Sequence, residues 1–166
     1  MLAGTREEQT ASVSVGHRQS VLLCQVGLLV CAVPLEHVAE TMRPLPCEPL
    51  SGMASFIDGV SIIRGAPVPI VDLAKLLGRQ ADELRTRLVL VKMGTRSAAL
   101  AVARVIGVRS LERSLLTELP PLLAGASTEV ISAVGSLEAR LLLILETSRM
   151  VPETSWASLE ARGAPA

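Results

Sequence analysis

The sequence predicts a mainly β protein: two intertwined five-stranded β-barrels that share an extended interface, with short helices between strands. Three observations lead there. Apolar residues make up 49% of the 166-residue chain, yet Phe56 and Trp156 are its only aromatics, so the core is aliphatic and built from short Val-, Ile- and Leu-rich runs. Such runs, bounded by Gly and Pro, read as strands. Val60 to Asp72 and Val134 to Glu146 then echo each other as strand, turn, strand and acid, followed by a short helix-prone segment. Two copies of a five-strand unit account for the number and spacing of hairpins, and closing each unit hides strand edges that would otherwise aggregate. A chain of this length buries roughly 70% of the surface that its unfolded form exposes, enough for a substantial core.

The chain is organised around Gly59–Gly78. Val60 to Ile63 is a short apolar strand, and Gly65-Ala66-Pro67 supplies turn chemistry, so the chain reverses at Arg64-Gly65. Val68 to Val71 resumes as a strand. Pro69 has no N–H for a ladder, which places this strand at an edge or turns that position away from its neighbour. Asp72 follows as a helix N-cap, Leu73, Leu76 and Leu77 share one helical face, and Gly78 stops the helix in the left-handed conformation. Arg64 is the odd residue of the unit. A guanidinium at the tip of an apolar hairpin points to solvent, pairs with a carboxylate or contacts another protein.

The other elements fall on either side. Residues 1–19 are polar and aperiodic, a flexible arm. Val21–Val26 and Leu29–Val33 form a hairpin about Gly27 whose two faces must both be covered. Pro34 opens one or two helical turns over Leu35–Ala39, Thr41–Leu45 returns as a short strand, and Pro44, Pro46 and Pro49 impose an irregular loop up to Phe56. After a charged connector, Arg79–Thr86, come a second hairpin (Arg87–Met93 and Ser97–Ala103), a strand over Val105–Leu111 with Gly107 as a bulge, and a break at Pro120-Pro121. The last hairpin, Glu129–Leu137 with Arg140–Glu146, turns at Glu138-Ala139, and Thr147–Val151 resembles the helix after Asp72. Residues 152–166 thin into Ala, Ser and Glu around Trp156, a C-terminal tail.

Several function classes are excluded. Sixteen basic and sixteen acidic residues leave no net charge and no long basic run, so nucleic acid is not an expected partner. Cys24, Cys31 and Cys47, with His17 and His37, match no metal-ligand spacing, so no metal is expected; Cys24 and Cys31 can face each other across a hairpin as reduced thiols. Val21–Leu35 is interrupted by Gln25, Gly27 and Pro34 and is shorter than the roughly 20 residues of a bilayer span, so it reads as two buried strands and no direct membrane insertion is expected. With two histidines, no tyrosine and no phosphate-cradling loop, the chain offers no catalytic residue and no cofactor site. Grooves for proline-rich peptides are lined with Tyr and Trp, which are missing here.

The order of elements and the residues themselves resemble the CheW-type chemotaxis coupling proteins, from about Val21 to Val151. Gly59-Val60, Arg64-Gly65 and Val68-Pro69-Ile70-Val71-Asp72-Leu73 look like that family's G-V-x-N-x-R-G-x-x-x-P-V/I-V-D-L. The Ala32-Val33-Pro34 to Glu40 segment and the Leu-Leu-Leu-Ile-Leu strand near the end support it. The resemblance implies a CheW-like domain over 20–151 made of two SH3-like five-stranded barrels, about 20–85 and 86–151, with strand exchange between them allowed. It implies a cytoplasmic, non-catalytic scaffold that bridges a methyl-accepting chemoreceptor's cytoplasmic tip to the regulatory domain of a CheA-type histidine kinase. The alternative is a stand-alone regulatory-type domain that modulates a histidine kinase without binding receptors. Carried over residue by residue, Val38, Glu40, Gly59 and Arg64 occupy partner-contact positions, and Gly65, Pro69, Asp72 and Gly78 belong to the structural motif. Glu40 has two readings, a contact to a partner's basic group or an intramolecular hold on Arg64; Gly59 and Gly65 are explained first as backbone requirements. This chain departs from the pattern at Ile62 (usually Asn), at Ala99-Leu100-Ala101-Val102-Ala103 (usually G-x-x-V-D) and at Glu146 (usually Asp). Those departures imply a divergent member with one altered partner interface.

Overall fold

The near-continuous apolar runs of the sequence become hairpins buried on both faces, and those hairpins tie two barrels into one body. The computed structural model describes residues 17–79, 84–117 and 130–163. In chain order the strands are β1 (Arg18–Val26), β2 (Leu29–Pro34), β3 (Val38–Met42), β4 (Ile57–Ile63), β5 (Ala66–Asp72), β6 (Arg87–Met93), β7 (Arg96–Val102), β8 (Arg104–Glu112), β9 (Ile131–Leu137) and β10 (Arg140–Leu145). Helix α1 (Leu73–Leu76) follows β5, α2 (Glu153–Gly163) ends the fold, and 3-10 turns cover Leu35–His37, Arg113–Leu115 and Thr147–Arg149.

Two five-stranded sheets result, ordered β8-β1-β2-β10-β9 and β3-β6-β7-β5-β4. If β1–β5 is one repeat and β6–β10 the next, each sheet takes the first hairpin of one repeat and the last three strands of the other. The registers agree with this. Parallel pairs β2–β10 and β5–β7 occupy equivalent places, and equivalent bulges interrupt β3–β6 at Val38/Glu40 and β1–β8 at Leu23/Cys24. The barrels therefore do not follow the halves 20–85 and 86–151, because each half lends its leading hairpin to the other barrel.

Each sheet closes where the chain leaving one edge strand reaches the opposite edge. Beyond β3, Glu48 exchanges two backbone hydrogen bonds of 2.9 Å with Val60 of β4; beyond β8, Thr117 does the same with Val134 of β9. Closure removes the exposed edges from both sheets at these points.

The core has three parts, set by the period-2 alternation of the shared hairpins. Val21, Leu23, Val30 and Ala32 fill one barrel with Leu142 and Ile144. Leu88, Leu90, Ala99 and Ala101 fill the other with Ile63, Val68 and Ile70. The intervening residues of the same strands, among them Leu22, Cys24, Cys31, Val33, Val89, Val91, Leu100 and Val102, form the largest cluster, between the barrels. Both faces of β1, β2, β6 and β7 are thus buried, which explains their lack of polar alternation.

Several sequence expectations change. Arg18 and Gln19, read as part of the arm, pair with Glu112 and Leu111 as the start of β1; residues 1–16 lie outside the described residues. The helical stretch expected over Leu35–Ala39 is one 3-10 turn, and the strand that follows starts at Val38 rather than Thr41, because pairing with Val91 begins there. The strand with Pro69 takes the second of its two expected places: β5 is not an edge but lies between β7 and β4, with Pro69 turned away from a hydrogen-bonding partner. Its ladder to β7 starts at Ile70, and Val60, opposite Pro69, gives its own N–H and C=O to Glu48, so no partner needs the missing proton. The presumed C-terminal tail is α2, folded because Trp156 and Leu159, one helical turn apart, are buried against the inter-barrel core while Ser155 accepts from the Ala54 amide at 3.2 Å. Of the charged connector, 80–83 lie outside the described residues, as do Pro120-Pro121 and Glu129 of the expected break and hairpin.

Candidate partner-binding site

The β4–β5 hairpin turns on Arg64-Gly65, both left-handed at φ 52° and 78°, between the paired Ile63 and Ala66. Two consecutive positive φ values match the right-handed twist of the strands, and Gly65 takes one of them at no steric cost. The geometry places the Arg64 side chain outside the barrel, 74% exposed. Its Nε donates to Glu40 Oε1 at 2.9 Å and its Nη2 donates to Glu40 Oε2, a two-pronged grip on a carboxylate from β3. Glu40 therefore holds Arg64 within the chain. The guanidinium hydrogen bonds keep the Glu40 carboxyl below the usual glutamate range, with the nearby Lys92 charge adding to the effect.

β3 and β4 are the two edges of one sheet, so this pair and the Glu48–Val60 bridge cross the same barrel seam. In the other barrel the equivalent positions are Gly107 and Glu138, which cannot form it. The Arg64–Glu40 pair across the seam thus has no counterpart at the equivalent positions of the other barrel.

The remaining predicted contact residues have different surroundings. Val38, on β3 with Glu40, is half-buried and packs against the inter-barrel core. Gly59 is buried at φ 155°, and a Cβ there would sit 2.3 Å from the Glu48 carbonyl oxygen, so the residue serves the seam. The structure brings Glu40 and Arg64 into direct contact and leaves Gly59 beneath the surface. Ile62, next to Arg64, is 67% exposed, an apolar side chain on the outer wall of β4.

Below the hairpin, Asp72 caps α1 by accepting from the Ala74 and Lys75 amides at 3.1 and 3.3 Å. Gly78 (φ 72°) closes the helix: its N–H reaches the Lys75 carbonyl and that of Arg79 reaches Ala74, the two bonds of a Schellman end. The sequence reading missed the charge around Asp72. Its fully buried carboxylate also accepts from Arg85 at 3.0 Å, and Asp58 takes both Arg85 and Lys75, so two acids and two bases neutralise one another beneath β4. Nothing in the local sequence links Asp58 to Arg85, which are 27 residues apart.

Also missed was the attachment of α2. The Arg96 guanidinium lies 5.0 Å from the Trp156 ring centroid and donates to Glu153 at 2.8 Å and Glu160 at 3.0 Å. Pro152-Glu153 at a helix start and the Trp156–Leu159 spacing were the signals for it. Among the described residues no group of three or more His, Cys, Asp or Glu is placed to hold a metal ion, and no helix is long and apolar enough to cross a membrane.

A family model described as the CheW-like domain matches residues 20–155. Protein FrzA of Myxococcus xanthus is 34% identical over 142 residues, covering 79% of this chain and 88% of its own. The chemotaxis protein CheW of Klebsiella aerogenes is 26% identical over 114 residues, 67% of this chain and 68% of that protein. The crystal structure of the scaffolding protein TtCheW from Thermoanaerobacter tengcongensis superposes with a TM-score of 0.68 at 18% identity, over 78% of this chain and 90% of that one, and shares the fold. With two hairpin-swapped barrels and a match along most of its length, the chain belongs to the CheW-like family.

Proposed function

We propose that the chain is a non-catalytic, cytoplasmic adaptor that couples the cytoplasmic tip of a methyl-accepting chemoreceptor to a CheA-type histidine kinase through the kinase's regulatory domain. The observation that carries the reading is the Arg64–Glu40 pair. Arg64 stands on a two-residue turn, mostly exposed, with its guanidinium oriented by a carboxylate across the seam. An arginine so held retains donors for a partner's carboxylate or backbone carbonyl, and its fixed geometry lowers the entropy lost on docking. Ile62 provides apolar surface beside it and Val38 contributes at the inter-barrel edge, where a helical hairpin can lay an aliphatic stripe.

Ile62 stands where the family usually has Asn, so one interface of this adaptor is more apolar than the family pattern. That is the sense in which the chain is divergent. Titrating the protein separately against a CheA-type regulatory domain and a receptor cytoplasmic hairpin, with Arg64→Ala in parallel, tests the proposal. Binding to both, with the receptor arm selectively weakened by the substitution, is expected. Binding to the kinase domain alone would replace the adaptor with the regulatory-type domain that acts without receptors.

A further inference from the structure

One end of the Arg64 barrel, where the β4–β5 and β6–β7 hairpins turn, meets α2 across an open cavity of about 550 Å³. That volume falls within the range of small-ligand sites. Its apolar surface comes from Ile63, Val68 and Leu90 on the barrel side and from Trp156 and Leu159 on α2. The helix runs eight residues past the end of the CheW-like match at residue 155 (163 − 155), so the wall carrying Leu159 and Glu160 is built from chain outside the matched residues.

Charge decides what the cavity favours. Arg64, Lys92 and Arg96 line it against a single carboxylate, Glu160. Arg64 is already held by Glu40, and Arg96 by Glu153 and Glu160. Lys92 is exposed, and although its charge is felt by the Glu40 carboxylate it is the one cation of the three with no carboxylate within ion-pair distance among the described residues. Thr95 and Ser97 add hydroxyl groups on the same side.

We propose that this cavity binds an amphipathic anion: an aliphatic or aromatic body against Leu90, Trp156 and Leu159, and one acidic group at Lys92. Because Arg64 is also a wall of the cavity, occupancy would be felt at the arginine that the preceding section assigns to partners, but the binding itself does not depend on that assignment.

Trp156 is the only tryptophan in the chain, so its emission reports the site directly. The experiment titrates the full chain with decanoate, kept below its micelle-forming concentration, and with decyltrimethylammonium, which has the same tail and the opposite charge. Saturable one-site binding of decanoate is expected, with no matching response to the cation. Lys92→Glu should weaken decanoate binding at least about tenfold, the loss of one charge-assisted contact. Ala66→Trp, at an exposed lining position, should block it by filling the mouth. If Ala66→Trp fails to fold, the Lys92 variant still decides, since Lys92 lies on the surface. The proposal is overturned by absence of saturation, by equal binding of both tails, or by a Lys92→Glu variant that binds decanoate as the native chain does. Capture of an acidic, apolar peptide with no decanoate binding would overturn it as well, in favour of a peptide groove.

Discussion

Gly59→Ala tests the seam that shapes the candidate site, and Gly107→Ala is its internal control. Both glycines sit in nearly the same backbone region, at φ 155° and 149°. An alanine at either position carries the strain of that region, about 1–3 kcal/mol. At Gly107 the new methyl meets nothing within 4 Å, so strain is the whole effect. At Gly59 it would lie 2.3 Å from the Glu48 carbonyl oxygen, 2.6 Å from its carbon and 2.9 Å from the Pro49 nitrogen, all backbone atoms that cannot swing aside. The segment must withdraw, and the two 2.9 Å hydrogen bonds between Glu48 and Val60 go with it. At a net 0.5–1.5 kcal/mol each, their loss adds about 1–3 kcal/mol. Urea denaturation should therefore show Gly59→Ala less stable than Gly107→Ala by about that margin, and hydrogen exchange should show the Glu48 and Val60 amides losing protection in the first variant only. Equal destabilisation of the two variants, or unchanged exchange at Glu48, would refute the claim that Gly59 exists to let the seam close.

Three further outcomes follow from the same geometry. Burial pushes the Cys24 and Cys31 thiols up to about 12, so about one in ten thousand is thiolate at pH 8; iodoacetamide should label neither in the folded protein and both in urea, and mass spectrometry that found them labelled in the native state would contradict the packing. Asp72→Ala removes a helix cap and a buried partner of Arg85, and should destabilise by about 2–4 kcal/mol in urea, while Asp72→Asn, which keeps an acceptor for α1, should recover about 1 kcal/mol of that. Arg64 lowers the folded-state pKa of Glu40, so the pair is fully present above the unfolded glutamate range and is lost as the pH falls through the lowered folded value. An NMR titration should find the Glu40 midpoint below the ordinary range, moving back up in Arg64→Ala, and partner binding should be flat through neutral pH as far as this pair is concerned.

What could be read from the sequence was local. The turn at Arg64-Gly65, the cap at Asp72 and the stop at Gly78 each depend on residues within a few positions of one another, and each stands where the spacing placed it. The echo between Val60–Asp72 and Val134–Glu146 carries through to the turns, since Glu138-Ala139 is left-handed like Arg64-Gly65. The exchange of hairpins between barrels was less legible, because hydrophobic alternation says that both faces of a strand are buried without saying by which partner. Trp156 was visible but its seat was not. Arg96, which stacks over its ring, comes from β7, and the inter-barrel core that Trp156 joins draws on strands along the whole chain. Glu40 illustrates the same limit: the residue type allowed an internal or an external partner, and only closure of the barrel brings β3 close enough to the β4–β5 turn to choose.

Closure also connects fold to function. A guanidinium on a long side chain would sample many rotamers if free, and holding it across the seam leaves it oriented before a partner arrives. Arg64 is 24 residues from its anchor, so the presented geometry is a property of the closed barrel rather than of the hairpin alone. Loosening the seam should then weaken docking even where no contact residue is touched.

The most direct test of the adaptor reading is co-sedimentation of a CheA-type kinase with receptor-bearing membranes, with and without this chain, using native protein and Arg64→Glu. The account predicts that kinase pellets with the membranes only when the native chain is present, and that Arg64→Glu, folded but with its rim charge reversed, restores little of it. Kinase that pellets equally without the chain, or a native chain that binds neither membranes nor kinase, would contradict the coupling role.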